Sequence, residues 1–110
     1  LRYHVMKQNG TERPFTGEYD KHYENGKYHC AECDKVLFTS EDKFDSGCGW
    51  PAFSSEAEQA NITQLKDETH GMVRIEVRCT DCDSHLGHLF HEYRGPRYCI
   101  NSICLDFKGE

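Results

Sequence analysis

The sequence predicts a mostly β domain: two small antiparallel sheets stapled by a structural zinc site of four cysteines, with few short helices. Three observations predict it. Apolar and polar residues alternate in short runs, most clearly over 71–79, where Val73, Ile75 and Val77 face one way and Arg74, Glu76 and Arg78 the other. Turn residues interrupt the chain often, and helical periodicity is scarce. Two Cys-x-x-Cys pairs each follow a short strand-like run. A chain of 110 residues is expected to form a single domain, 1–110. A domain of that size buries roughly two-thirds of its unfolded surface. With a mean hydropathy of −0.83, it is expected to lean on a metal or cross-links as well as on its core.

Taken in order, residues 1–8 read as the end of a helix or an entering arm. Residues 11–17 are turn-like, because Pro14 fixes φ and lacks a donor while Gly17 permits tight geometry. Residues 27–30 read as a strand running into a knuckle at Cys30-Ala31-Glu32-Cys33, and 36–40 as the returning strand. Residues 46–53 hold two glycines, a proline and the only tryptophan, Trp50; a large aromatic in such a loop often forms a binding wall. Residues 54–60 are expected to make a short helical turn and 62–65 a strand. The strand over 71–79 ends in the second knuckle, Cys79-Thr80-Asp81-Cys82. Residues 86–90, 97–101 and 103–107 are the last strand candidates, with Ile103, Leu105 and Phe107 sharing one face and Cys104 and Asp106 the other.

The formal charge is −6, which disfavours a nucleic-acid partner, since phosphate must be neutralised by Lys and Arg. No apolar run approaches the ~18 residues of a membrane span. No signal peptide is visible, although the chain opens on Leu1 and not on Met. The expectation is a monomer in the cytoplasm. Seven cysteines is an odd number, which fits a metal site in a reducing compartment better than a disulfide framework.

Cys30, Cys33, Cys79 and Cys82 form two pairs separated by 45 residues. Two residues between cysteines let both sulfurs reach one ion at ~2.3 Å, so the four are expected to hold one structural zinc per chain. A four-sulfur site leaves no open position for water and is therefore not a catalyst. The rival, a thioredoxin-like redox Cys-x-x-Cys, normally opens a helix, and neither pair does. Cys48, Cys99 and Cys104 remain. Cys104 reads as a small buried hydrophobe. In an extended segment Cys99 shares a face with Arg97 and Asn101. A nearby cation favours thiolate, so Cys99 is either a nucleophile or another buried thiol. Cys48 lies in a glycine-flanked loop, free enough to approach another sulfur. His85 and His88, three apart, would point to opposite faces of a flat strand, but Gly87 between them allows a bulge that unites them. They read as acid–base groups or as ordinary half-buried histidines.

Five stretches taken together resemble a known family: Thr11-Glu12-Arg13-Pro14-Phe15-Thr16-Gly17, Ser46-Gly47-Cys48-Gly49-Trp50-Pro51, Gly71-Met72, His85-Leu86-Gly87-His88 and Arg97-Tyr98-Cys99-Ile100-Asn101-Ser102. They resemble the methionine-R-sulfoxide reductases of the MsrB type, and the two Cys-x-x-Cys pairs resemble its zinc-containing branch. The resemblance implies reduction of the R epimer of methionine sulfoxide, chiefly in proteins, as repair under oxidative stress. It implies that Cys99 attacks the sulfoxide and becomes a sulfenic acid, that Cys48 resolves it as a disulfide, and that thioredoxin reduces the disulfide. It implies active-site roles for His85, His88 and Asn101, and substrate contacts for Trp50 and Arg97. The implied fold is two antiparallel sheets with the zinc away from the active site. The chain departs from the family in a shorter run over 91–96, with Glu92 where an aspartate is usual, and in Ala52 for a common serine. The family's N-terminal helix is largely missing. A non-enzymatic zinc-ribbon-like module would need the four zinc cysteines alone and would leave Cys48 and Cys99 unexplained.

Overall fold

The computed structural model describes residues 5–7, 10–20, 22–57, 60–68, 71–92 and 95–109. Among these the strands are β1 (Gly26–Cys30), β2 (Val36–Thr39), β3 (Lys43–Phe44), β4 (Ala52–Phe53), β5 (Ile62–Asp67), β6 (Arg74–Cys79), β7 (His85–Glu92), β8 (Gly95–Ile100) and β9 (Leu105–Gly109). They form a three-stranded sheet, order β2-β1-β9, and a six-stranded sheet, order β3-β4-β8-β7-β6-β5. Every pairing is antiparallel. The expected class, mostly β in two antiparallel sheets with four cysteines gathered at one point, is what is found.

Three features join the sheets. Phe38 from β2 stacks on Phe53 from β4 at 4.3 Å, and Tyr28 from β1 meets the same ring edge-on at 5.1 Å. All three rings are fully buried, and such pairs add roughly 0.5–1.5 kcal/mol each beyond the area they bury. The second join is the cysteine cluster, which ties the end of β1 to the end of β6. The third is a 3-10 turn, Ser102–Cys104, that carries the chain from β8 in the large sheet to β9 in the small one.

That crossover explains one departure from the alternation read over 103–107. Residues 103 and 104 belong to the turn and not to a strand, and Cys104 is buried in the core, as read for it. Of the short helical turn expected over 54–60, residues 54 and 55 are bends and Ala60 N–H bonds the Ala57 carbonyl at 3.0 Å, while residues 58 and 59 lie outside the described residues. Val73 precedes β6 and is 72% exposed, so the core-facing alternation begins at Ile75. At the N-terminus residues 5–7 are helical, with Val5 and Met6 in the core; the rest of the arm expected over 1–8 lies outside the described residues.

The two knuckles fold alike for a chemical reason. Each Cys-x-x-Cys is followed by an aspartate, Asp34 or Asp83, with φ of 66° and 58°. Aspartate tolerates this left-handed region better than most residues. In each knuckle the aspartate N–H returns to the carbonyl of the first cysteine, Cys30 at 2.8 Å and Cys79 at 2.7 Å.

The β6–β7 ladder pairs Arg78 with His85 and Val77 with Gly87, so Leu86 is an extra residue. This bulge shifts the parity of β7 and brings His85 and His88 to one face, their rings 5.6 Å apart. Gly87 itself serves close approach. A Cβ there would run into the carbonyl oxygen of Cys99 and sit 2.9 Å from the Cα of Ile100. Gly87→Ala is therefore expected to push β8 off β7 and cost about 1–3 kcal/mol, as overpacking does. The check is a lower urea midpoint at unchanged slope; an unchanged midpoint would contradict the tight approach.

Candidate active site and metal centre

The register of the large sheet aligns chemistry on one face. Glu76 pairs with His88, His88 with Cys99, and Cys99 with Ala52, so these residues make one row across four strands. Phe90 pairs with Arg97 in the adjoining row, and Tyr98 and Ile100 point to the opposite face, into the core. Arg97, Cys99 and Asn101 thus share a face, as parity predicts.

Over this face lies a cavity of about 220 Å³. That is smaller than the roughly 300–1,000 Å³ of small-molecule sites, and of a size for one side chain. Cys99, Cys48, His88 and Arg97 line it, and Trp50 and Phe90 supply apolar wall. The Trp50 indole N–H donates to the Glu12 carbonyl at 3.0 Å, which fixes the ring. Arg97 packs over Phe90 at 4.6 Å and pairs with Glu92 at 2.8 Å. Glu92 therefore answers to Arg97 and not to a histidine; of the shortened segment, residues 93 and 94 lie outside the described residues.

The two thiols are already in contact, with Sγ of Cys48 3.2 Å from Sγ of Cys99. Glycines on either side of Cys48, with φ of 72° and 95°, let the loop turn the sulfur inward. Closing a disulfide, at ~2.05 Å, needs an approach of only about 1 Å. The pair shares charge unequally. The hydrogen-bonded contact with Cys99, with help from Ser46 and Arg97, lowers the Cys48 pKa to about 5 against the cost of burial. The same contact, together with burial, pushes the Cys99 thiol up, and the pull of Arg97 does not offset them. The cation expected to favour thiolate at Cys99 is thus present but outweighed by the contact with Cys48 and by burial.

The histidines divide as well. His88 reaches the cavity, and its Nε2 is held by Asp67 at 2.8 Å. Asp67 also meets Arg74 at 3.4 Å. His85 lies behind, 2% exposed, with Nδ1 on Glu76 at 2.7 Å and Nε2 without a hydrogen-bond partner. Burial lowers its pKa against the pull of Glu76, so His85 is neutral near pH 7. Asn101 accepts the Glu12 N–H on Oδ1 and donates Nδ2–H to the Leu86 carbonyl, both at 3.0 Å. Sequence reading did not single out Glu12, Asp67 or Glu76, the carboxylates that hold these groups. Asp67 and Glu76 were findable only with the strand register, which sets one in β5 and one in β6 across from β7.

The four remaining sulfurs of interest form the second centre. Cys30 and Cys82 are 3.6 Å apart, as are Cys33 and Cys79, and all four lie within 4.8 Å of one another. A tetrahedral ion with ~2.3 Å bonds to sulfur needs about 3.8 Å between sulfurs, so the donor set fits a four-coordinate, closed metal site. The cluster lies at the Cys79 end of β6, and the cavity residue Arg74 at its start.

A buried thiol touching a second, ionisable thiol in a side-chain-sized, aromatic-walled cavity is the arrangement of a dithiol oxidoreductase. The SelR domain family model matches residues 1–109, and the chain belongs to that family. Its relatives include a peptide methionine sulfoxide reductase MsrB of Pseudomonas putida (strain W619), 53% identical over 110 residues that cover 97% of this chain and 83% of the relative. The MsrB of Agrobacterium fabrum is 48% identical over 97% of this chain and 82% of its own length. A probable methionine-R-sulfoxide reductase B of Caenorhabditis elegans is 51% identical over 96% of this chain and 73% of its own length.

The thiol pair sets a pH-dependent reactivity. With iodoacetamide, the reduced protein is expected to be alkylated at Cys48 well before Cys99 near neutral pH. Labelling at Cys48 should fall away only as pH drops through about 5. Cys99→Ala removes the donor that stabilises the Cys48 thiolate, so the midpoint should rise towards the ordinary thiol value of ~8.5. Peptide mapping by mass spectrometry reads both, and equal labelling of the two thiols would contradict the assignment.

Proposed function

We propose that the protein is a methionine-R-sulfoxide reductase acting chiefly on protein-bound methionine sulfoxide, as a monomeric single-domain enzyme of the cytoplasm. The observation that carries this reading is the 3.2 Å contact between Cys48 and Cys99 in a cavity walled by Trp50 and Phe90. The indole wall takes the methyl group of the substrate, with Arg97 beside it. Cys99 attacks the sulfoxide sulfur. His88, oriented by Asp67, delivers a proton to the departing oxygen and recovers the one that Cys99 gives up. The protonated oxygen passes as hydroxyl from the substrate sulfur to the Cys99 sulfur, the bond between the two sulfurs breaks, methionine leaves, and Cys99 is left as a sulfenic acid. Neutral His85, fixed by Glu76, backs His88 and holds its ring in place. Asn101 sets the end of β8 and with it the Cys99 sulfur.

Cys48 then attacks the Cys99 sulfenic sulfur, water leaves, and the Cys48–Cys99 disulfide forms. A dithiol protein, thioredoxin, supplies two electrons and two protons to reopen it. The low pKa of Cys48 serves this second step, because a thiolate is the attacking form. Cys30, Cys33, Cys79 and Cys82 would hold one structural zinc, which contributes folding free energy and takes no part in the redox step.

The test is a single turnover. Reduced protein incubated with methionine sulfoxide and no recycling reductant is expected to yield about one methionine per chain and a Cys48–Cys99 disulfide, consuming the R epimer and sparing the S. Loss of no sulfoxide, with the zinc cysteines intact, would end the enzyme reading. Cys99→Ser should abolish reduction, whereas Cys48→Ser should release methionine once and then stall with thioredoxin. Elemental analysis is expected to find about one zinc per chain, and chelation should lower the melting temperature by well over 10 °C, given the ~10–16 kcal/mol of structural zinc sites. A chain that melts identically with and without chelator would refute the structural role.

A further inference from the structure

Glu12 is a buried carboxylate with no place in the chemistry above, and it is 4% exposed. It lies in an irregular segment before β1, 89 residues from Asn101 in sequence. A buried acid costs free energy unless its oxygens are satisfied. Here each oxygen takes a backbone donor from the turn that follows Cys99: Oε2 from Ser102 N–H at 2.9 Å and Oε1 from Ile103 N–H at 3.0 Å. These are N–H groups of the 3-10 turn that no helical partner would satisfy. The main chain of the same residue holds two further groups of the cavity. Its N–H donates to Asn101 Oδ1 and its carbonyl accepts the Trp50 indole N–H, both at 3.0 Å. The preceding residue, Thr11, lines the cavity directly.

We propose that Glu12 is a positioning residue of the active site: its carboxylate locks the segment 11–12 to the turn after Cys99, and the locked main chain then sets the Trp50 wall and the Asn101 side chain relative to the Cys99 sulfur. The inference rests on the sulfoxide-reductase reading for its kinetic consequence but not for its geometric one. Two bonds from one carboxylate to adjacent N–H groups require both oxygens as acceptors. Glutamine keeps the shape but turns an NH2 towards one of the two N–H groups, donor against donor. Aspartate keeps both acceptors but is one methylene short. Neither variant touches the substrate cavity itself.

Glu12→Gln is expected to raise KM for methionine sulfoxide and lower kcat/KM by 10- to 100-fold. It should also change the emission of Trp50, the single tryptophan of the chain and therefore an unambiguous reporter of the wall. Ser102→Ala is the control, since it removes a bond from Tyr19 N–H to the same turn at 3.1 Å while leaving the Glu12 carboxylate in place. It should lower the melting temperature with KM and Trp50 emission unchanged. Should Glu12→Gln fail to fold, Glu12→Asp is the second variant, expected to show the same direction of change. Emission and KM at wild-type values in a folded Glu12 variant, with only the melting temperature lowered, would reduce Glu12 to a structural residue and overturn the proposal. A wild-type protein that reduces no methionine sulfoxide would instead refute the functional reading, leaving the Trp50 emission to decide the positioning question by itself.

Discussion

The carbonyl oxygen of Leu86 is the point on which the site depends. It accepts both the backbone N–H and the side-chain Nδ2–H of Asn101, each at 3.0 Å. Leu86 is the extra residue of the β7 bulge, and Asn101 is where the chain leaves the large sheet for the small one. One acceptor thus couples two irregularities that would each be costly alone. The bulge brings both histidines to one face, and the crossover stops β8 one residue after Cys99 pairs with His88. Burying this oxygen without its two donors would leave a polar group unsatisfied inside the core.

Around that point the molecule separates its thiols by environment. Four converge at the far end of β6, where geometry suits a closed ion. Two meet in the aromatic-walled cavity, where their contact lowers the pKa of Cys48 and raises that of the buried Cys99. Cys104 is sealed in the core with its sulfur on the His85 carbonyl. One residue type therefore serves three purposes, and what distinguishes them is burial, hydrogen-bond donors and neighbouring sulfur rather than sequence spacing alone.

Much of this was legible from the chain. The Cys-x-x-Cys pairs marked the ends of β1 and β6, and the parity of Arg97, Cys99 and Asn101 held because the strand really is extended through Ile100. The His85–His88 spacing pointed to a bulge, which exists, although Gly87 turned out to serve the close approach of β8. The carboxylates were the invisible part. Glu12 sits in a segment that reads as a turn, and its value arises from contact with a residue 90 positions away. Asp67 and Glu76 become partners of histidines only once β5 and β6 have paired and β6 has met β7 in a particular register. Local pattern carries no information on register between strands this far apart. The charge division of the thiols was likewise out of reach, since it follows from a 3.2 Å contact between residues in different strands and loops.

The ordering of the large sheet has a consequence for how the protein meets its own kind. Its two outer strands are β3, of two residues, and β5, whose exposed residues include Gln64 and Lys66. A two-residue strand is too short a template for another chain to extend, and a charged edge resists being covered. The longest strand, β7, lies inside the sheet with both of its sides occupied. The sheet therefore keeps its sticky backbone inward and shows neighbouring molecules only edges that discourage stacking into larger β assemblies.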